Sequence, residues 1–291
     1  MRYGVHVNSG SSVTDPAVLR DMAQLAEDLG FSTILIGDHV VPARQIQTPF
    51  PLKIDNPPWA VYQEHDWPDC FVTLAYLAAA TQTLRLGTSV ILLPYRHPAV
   101  TAKMFATIDR LSAGRLICGV GIGWMQDEFG FLGLPFAERA AMSDEYARVI
   151  KALWTDEHPR ISGRYVTLDR DVNFGPYPVQ QPHPPLWVGG NSLPALRRVV
   201  SWGDGWQPVA LSLAELEQKM HKLRGMMEAA GRDFDQLEIT TLSMPDVSVA
   251  AARAYAALGL HELSMLTTTD QAPQLFAEMR RFADTLREAT G

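Results

Sequence analysis

The sequence predicts a closed barrel of eight parallel strands, each followed by a helix. Three observations carry that prediction. Short apolar, β-rich runs alternate with longer runs of helical periodicity, the signature of βαβ units. Counting the pairs along the 291 residues gives eight, in a length that suits one barrel. No GxGxxG follows the first strand, which weakens the runner-up, a doubly wound open sheet.

The first strand is read as Tyr3–Asn8, and Asp15–Leu29 as a helix with Pro16 in its first turn, where a missing N–H costs nothing. Gly30 ends that helix and Thr33–Ile36 is the second strand. Helix Asp69–Thr81 leads to strand Arg85–Leu92, and helix Ala99–Leu111 to strand Arg115–Val120. The long helix Glu138–Trp154 precedes strand Leu186–Gly189. Helix Leu193–Trp202, strand Gly205–Val209, helix Leu213–Ala230 and strand Leu237–Leu242 follow. Helix Val249–Leu258, strand His261–Leu266 and helix Ala272–Ala289 complete the count. With no internal repeat and no low-complexity tract, residues 1–291 read as one barrel domain.

Two connections are long. Gly37 to Pro68 is rich in proline and aromatics, and Thr155 to Pro185 contains a hairpin over Arg160–Leu168 turning at Ser162-Gly163. Long connections in compact domains are usually lids or binding loops. The first leaves the C-terminal end of the second strand, the face where barrel enzymes do their chemistry, and is expected to fold over the site.

Bulk chemistry narrows the function. The net charge of −7 disfavours a nucleic-acid or anionic-membrane partner but leaves room for a local phosphate pocket. The apolar stretch Phe71–Ala80 is far too short to span a bilayer, and no signal peptide opens the chain, so a cytoplasmic protein is expected. Cys70 and Cys118 have neither CxxC nor metal-ligand spacing, which fits a reduced compartment. His65 and Cys70 lack a third ligand and no His-x-His lies on the first strand, so no metal is expected.

Several residues point to a cofactor site. Asp38-His39 ends the second strand. A histidine there can pass a proton near neutral pH, with Asp38 fixing its tautomer; taken alone, the pair reads more readily as a buried, satisfied histidine or a helix-capping Asp. Gly119 to Gly123 alternates glycine with apolar residues, so that a flat ring can approach the backbone, or so that a barrel corner can turn. Gly189-Gly190-Asn191-Ser192 opens a helix, where amides with the Asn and Ser side chains form an anion cradle or a plain N-cap. His6 and Asn8 are placed on the pocket wall, as are Trp124 and Trp206, with Trp59, Trp67 and Trp187 as further candidates. Arg139 is assigned to ion pairs with Asp144 and Glu145.

Four segments in order carry a family resemblance: Gly30–His39; Arg85–Val90 with Leu93-Pro94 and His97-Pro98-Ala99; Leu111–Leu116 with Gly119–Trp124 and Glu128-Phe129; and Pro185–Ser192 with Gly203–Trp206. Together they resemble the luciferase-like flavin and deazaflavin oxidoreductases over nearly the whole chain. The resemblance implies a non-proline cis peptide at Ser89–Val90 backing a tricyclic ring, with Gly121 and Gly123 beside it and Gly189, Gly190, Asn191 and Ser192 at its phosphate. It also implies a homodimer.

The Asp38-His39 pair resembles the branch that uses coenzyme F420, which exchanges hydride with small organic substrates. The alternatives are an FMN-dependent monooxygenase using dioxygen and a non-catalytic flavin-binding relative. Two positions depart from the patterns. Trp124 stands where deazaflavin sugar and alcohol dehydrogenases carry a catalytic glutamate, and Ile122 where luciferase-type enzymes place an arginine on the FMN phosphate.

Overall fold

In a computed structural model, which describes residues 1–7, 14–43, 45–49, 67–269 and 271–291, eight parallel staves close on themselves. The first two are β1 (Arg2–Val7) and β2 (Thr33–Ile36). The third is split into β3 (Arg85–Thr88) and β4 (Ile91–Leu92), followed by β5 (Leu116–Gly121). A small antiparallel hairpin, β6 (Ile161–Ser162) with β7 (Thr167–Leu168), lies outside the barrel. The remaining staves are β8 (Leu186–Gly189), β9 (Gly205–Gln207), β10 (Glu238–Ser243) and β11 (Glu262–Leu266). β1 pairs with both β2 and β11, and the β3–β5 pairing closes the ring.

The helices are α1 (Pro16–Asp28), α2 (Cys70–Ala80), α3 (Pro98–Leu111), α4 (Gln126–Phe131), α5 (Arg139–Thr155), α6 (Leu193–Trp202), α7 (Leu213–Ala229), α8 (Val249–Ala257) and α9 (Ala272–Thr290). Side chains cap their starts as the residue types demand: Asp15 accepts from Ala17 and Val18, Asp69 from Phe71 and Val72, and Ser212 with Glu215 forms a reciprocal capping box. Among the described residues no helix is long and apolar enough to cross a membrane.

Side chains alternate in and out along each stave. Outward residues such as Val5, Ile34, Val188, Trp206, Leu263 and Met265 join the main core between sheet and helices. Inward residues form layers. At the bottom, Glu238 accepts from Arg85, Arg2 and the Trp187 indole. Burial works to raise its pKa, but the two guanidiniums outweigh that and hold it at about 2. Above sits a small apolar layer of Leu35, Ile117 and Trp187. The layer above that, at the C-terminal mouth, is left open.

Two readings are corrected here. The strand expected over Arg85–Leu92 is interrupted, because a cis peptide at Ser89–Val90 turns the chain between β3 and β4. A short helix, α4, stands in what reads as loop after β5. The Thr155–Pro185 connection follows a helix rather than a strand, so it crosses the opposite face of the barrel. There Gln180 donates to the Leu116 carbonyl at the start of β5, and the Glu145 carboxylate holds the hairpin through the amides of Arg164, Tyr165 and Val166.

Candidate active site

The open mouth is a cavity of about 800 Å³. Its floor comes from strand ends: His6 on β1, Ser89 and Val90 at the cis turn, Gly121 on β5, Gly189 on β8 and Gln207 on β9. Leu242 and Leu266 complete the floor. Asp38, His39, Thr48, Pro49, Trp67, Gly123, Trp124 and Arg139 form one side, and Gly190, Asn191 and Ser192 another. Of the first long connection, residues 44 and 50–66 lie outside the described residues, as do Asn8, Trp59 and His65.

The glycines of the floor are required by Val90. A methyl built on Gly121 would lie 2.6 Å from Val90 Cγ2, and one on Gly189 would lie 2.9 Å from Val90 Cγ1. The isopropyl group therefore rests on bare backbone, leaving a flat apolar shelf. Gly190 adopts φ +108°, a conformation that side chains resist. Its carbonyl is fixed by the Trp206 indole N–H at 2.9 Å.

Histidine 39 is held by a different carboxylate from the one the sequence suggests. Its Nδ1 lies 2.8 Å from Oε2 of Glu128, in α4, and its ring meets Trp67 edge-on at a centroid distance of 5.0 Å. Glu128 is fully buried and also accepts from the Tyr95 hydroxyl (2.8 Å) and from the amides of Val40 (2.6 Å) and Val41 (2.9 Å). Burial alone would raise its pKa, but these donors, His39 first, bring it below the ordinary value, so it is a carboxylate at neutral pH. Because a carboxylate only accepts, Nδ1 carries a proton. Nε2 is then the nitrogen that takes up or gives a proton.

Asp38, expected to orient His39, has another task. Both of its oxygens accept from Arg96, at 2.7 and 2.9 Å, and Oδ2 also takes the Leu92 amide. It ties β2 to the turn after β3 and so sets the position of the cis peptide. The neighbouring α4 residue, Asp127, accepts from the Thr48 hydroxyl at 2.6 Å. One helical turn thus anchors both the histidine and the part of the long connection that carries Thr48.

Trp206, expected on the wall, is not part of it. Gly205 and Gln207 face into the barrel, so alternation sends Trp206 outward into the core. The same alternation places Gln207 on the floor, a residue sequence reading had passed over. Trp187 fills the apolar layer below. Asn191 braces the β9 end, donating to Val209 O at 2.6 Å and accepting from Val209 N at 3.1 Å, while Ser192 caps Ala195. Both side chains expected to grip an anion thus have protein partners; Pro194 has no N–H and Ala195 donates to Ser192, so the amides of Asn191, Ser192 and Leu193 are what remain for it.

Arg139 was assigned to ion pairs and makes none of them. Asp144 pairs with Arg198 at 2.8 Å, and Glu145 holds the hairpin. Arg139 instead donates to the carbonyls of Gly123 and Phe136, at 3.2 and 2.9 Å, and lines the cavity. Burial and the nearby Arg198 lower its pKa from the ordinary arginine value. Arg139 is thus a cation on the cavity wall, while position 122 carries isoleucine.

The mouth thus joins a carboxylate-held histidine to a glycine-backed shelf on the face where barrel enzymes place their active sites. The chain belongs to the luciferase-like monooxygenase family, an oxidoreductase family, whose model matches residues 1–290. It is 32% identical over 287 residues to an uncharacterized protein of Mycobacterium tuberculosis, covering 97% of this chain and 98% of that one. It is 30% identical over 286 residues to an F420-dependent glucose-6-phosphate dehydrogenase of Nakamurella multipartita, covering 93% and 76%. Among solved structures, a monooxygenase from Streptomyces bottropensis superposes with a TM-score of 0.79 at 20% identity over 99% of both chains, a likeness of fold.

Proposed function

We propose that this protein is a coenzyme F420-dependent oxidoreductase acting on a small or medium organic substrate. The observation that carries the reading is His39, fixed by Glu128, on the wall of a cavity floored by Val90, Gly121 and Gly189. The curated relative named for F420 dependence supports the deazaflavin over FMN.

The cavity fits such a group in three respects. The floor is a place that a Cβ at Gly121 or Gly189 would fill. His6 Nδ1 and Gln207 Nε2 are buried polar atoms on that floor without a partner. The start of α6, with Arg139 on the cavity wall, suits a phosphate. Val90 would back the ring, Asn191, Ser192 and Leu193 would hold the phosphate through backbone amides beside Gly190, and Trp67 and Pro49 would exclude water. When bound, the deazaflavin supplies a hydride donor or acceptor at its ring carbon. The chain's own contribution is a proton: His39 Nε2 would give one to a substrate that receives hydride and take one from a substrate that loses hydride, and Glu128 would stabilise the imidazolium form. Trp124 lines the cavity where a glutamate serves sugar and alcohol dehydrogenases of the resembled branch, which disfavours sugar phosphates and simple alcohols as substrates. The reading includes a homodimer, supported by Val72 and Tyr76 on α2 and Val100 on α3, which are exposed at 69%, 38% and 52%.

The test is anaerobic. Reduced F420 should be reoxidised by some member of a panel of carbonyls, imines and activated alkenes, without dioxygen. Turnover seen only with reduced FMN and dioxygen would replace this reading with a monooxygenase. No turnover with either would indicate a binding protein.

A further inference from the structure

The turn at Ser89–Val90 is held from two sides, and each holding side chain keeps one polar atom unused. His6 donates from Nε2 to the Ser89 carbonyl at 3.0 Å. A carbonyl has no proton to give, so Nε2 is the protonated nitrogen. Burial lowers the pKa of His6, leaving the ring neutral and Nδ1 a bare acceptor. Gln207 accepts from the Ser89 hydroxyl at 2.8 Å through its carbonyl oxygen, which turns its amide nitrogen away from that bond. Nδ1 of His6 and Nε2 of Gln207 are both buried without any hydrogen-bond partner. The residues themselves are 8% and 4% exposed, and both line the cavity.

Buried side-chain polar atoms nearly always find partners, so two orphans on one floor call for an explanation. Folding does not provide one, since the bonds that hold the turn are already made by the other atoms of the same two groups. A ligand does. We infer that His6 and Gln207 form a recognition pair for an amide, lactam or imide edge, whose carbonyl oxygen takes the Gln207 N–H and whose own N–H is taken by His6 Nδ1. Charged groups fit poorly. A carboxylate would face the His6 lone pair, and an ammonium would face the Gln207 N–H. A neutral edge with one acceptor and one donor satisfies both atoms. Such an edge is present in the pyrimidinedione ring of a deazaflavin or flavin and in lactam or imide substrates. The inference rests on this cavity being the ligand site proposed above.

Methylated ligands separate the sources, because they remove only the N–H. The protein is titrated with F420 and FMN and with their N3-methyl counterparts, following ring fluorescence. If the pair reads the cofactor edge, N3-methylation should weaken binding about tenfold or more in the wild type, roughly one hydrogen bond. That discrimination should vanish in His6→Phe, whereas Gln207→Leu should weaken the methylated and unmethylated ligands alike. If the pair reads substrate, N3-methylation should be neutral. Cofactor-loaded protein should then bind pyrrolidin-2-one in saturation-transfer NMR and ignore N-methylpyrrolidin-2-one. Tight cofactor binding with neither discrimination would overturn the pair while leaving the proposed function standing. Failure of both cofactors to bind would remove the proposed function instead. The two lactams on the unloaded protein would then decide the pair by the same contrast.

Discussion

Replacing Glu128 with Gln should lower turnover about 10²- to 10⁴-fold while cofactor affinity stays within a few-fold of wild type. The expectation follows from counting donors. Glu128 receives four hydrogen bonds, from His39, Tyr95, Val40 and Val41, and has no proton to offer in return. The amide of Gln has one accepting atom. If that oxygen keeps the Val40 and Val41 amides, the NH₂ group faces His39 Nδ1 and forces the other tautomer, with the proton on Nε2. The nitrogen that should exchange a proton is then already loaded, and the imidazolium loses its counter-charge. Tautomer errors of this kind in other enzymes cost up to about 10⁴ in kcat. A merely structural Glu128 predicts something different, so the readout is a cycle. His39→Ala and Glu128→Gln should each lose about the same activity, and the double variant little more, because the two act as one unit. Additive losses would mean that Glu128 does not work through His39. Asp38→Asn makes the contrast: its carboxylate bonds Arg96 and the Leu92 amide and not the histidine, so it should act chiefly on stability.

The second large effect belongs to the floor. Gly121→Ala should weaken cofactor binding about ten- to a hundred-fold, with the fold retained. The added methyl lies 2.6 Å from Val90 Cγ2, too close for two carbons, and Val90 is also pressed by Gly189. Its open side is the cavity, so it must move into the space proposed for the ring. Overpacking of this kind costs about 1–3 kcal/mol, here charged against binding more than folding. Fluorescence titration gives the affinity and a thermal melt checks the fold. Undiminished affinity would mean that the ring does not lie on Val90.

Much of the barrel was readable because its signals are local. Alternation of strand and helix, proline in first turns and capping residues such as Ser192 and Ser212 are all written within a few residues of their effect. The resemblance added the cis peptide, which no propensity would suggest. What was missed depends on distance in space. Asp38 adjoins His39 in sequence, and that closeness suggested a partnership. In the fold both lie past the end of β2, Asp38 is taken up by Arg96 and the Leu92 amide, and the histidine's partner is Glu128, 89 positions away. Glu128-Phe129 was recognisable as a motif, but without the short helix that carries it there was no way to aim its carboxylate. Arg139 looked like a surface cation because Asp144 and Glu145 follow it within seven residues, when the helix turns those toward other partners. Trp206 and Gln207 were misplaced together by one step of register. Their placement could have been found by extending the alternation from Gly205, whose lack of a side chain makes room for Trp187 inside the barrel.

The central claim is that this mouth is built for a deazaflavin. Titration of the purified protein with coenzyme F420 and, separately, with FMN, followed by ring fluorescence at moderate salt, tests it most directly. Micromolar binding of F420 with much weaker binding of FMN is the expected result; tight binding of FMN with none of F420 would assign the mouth to a flavin instead.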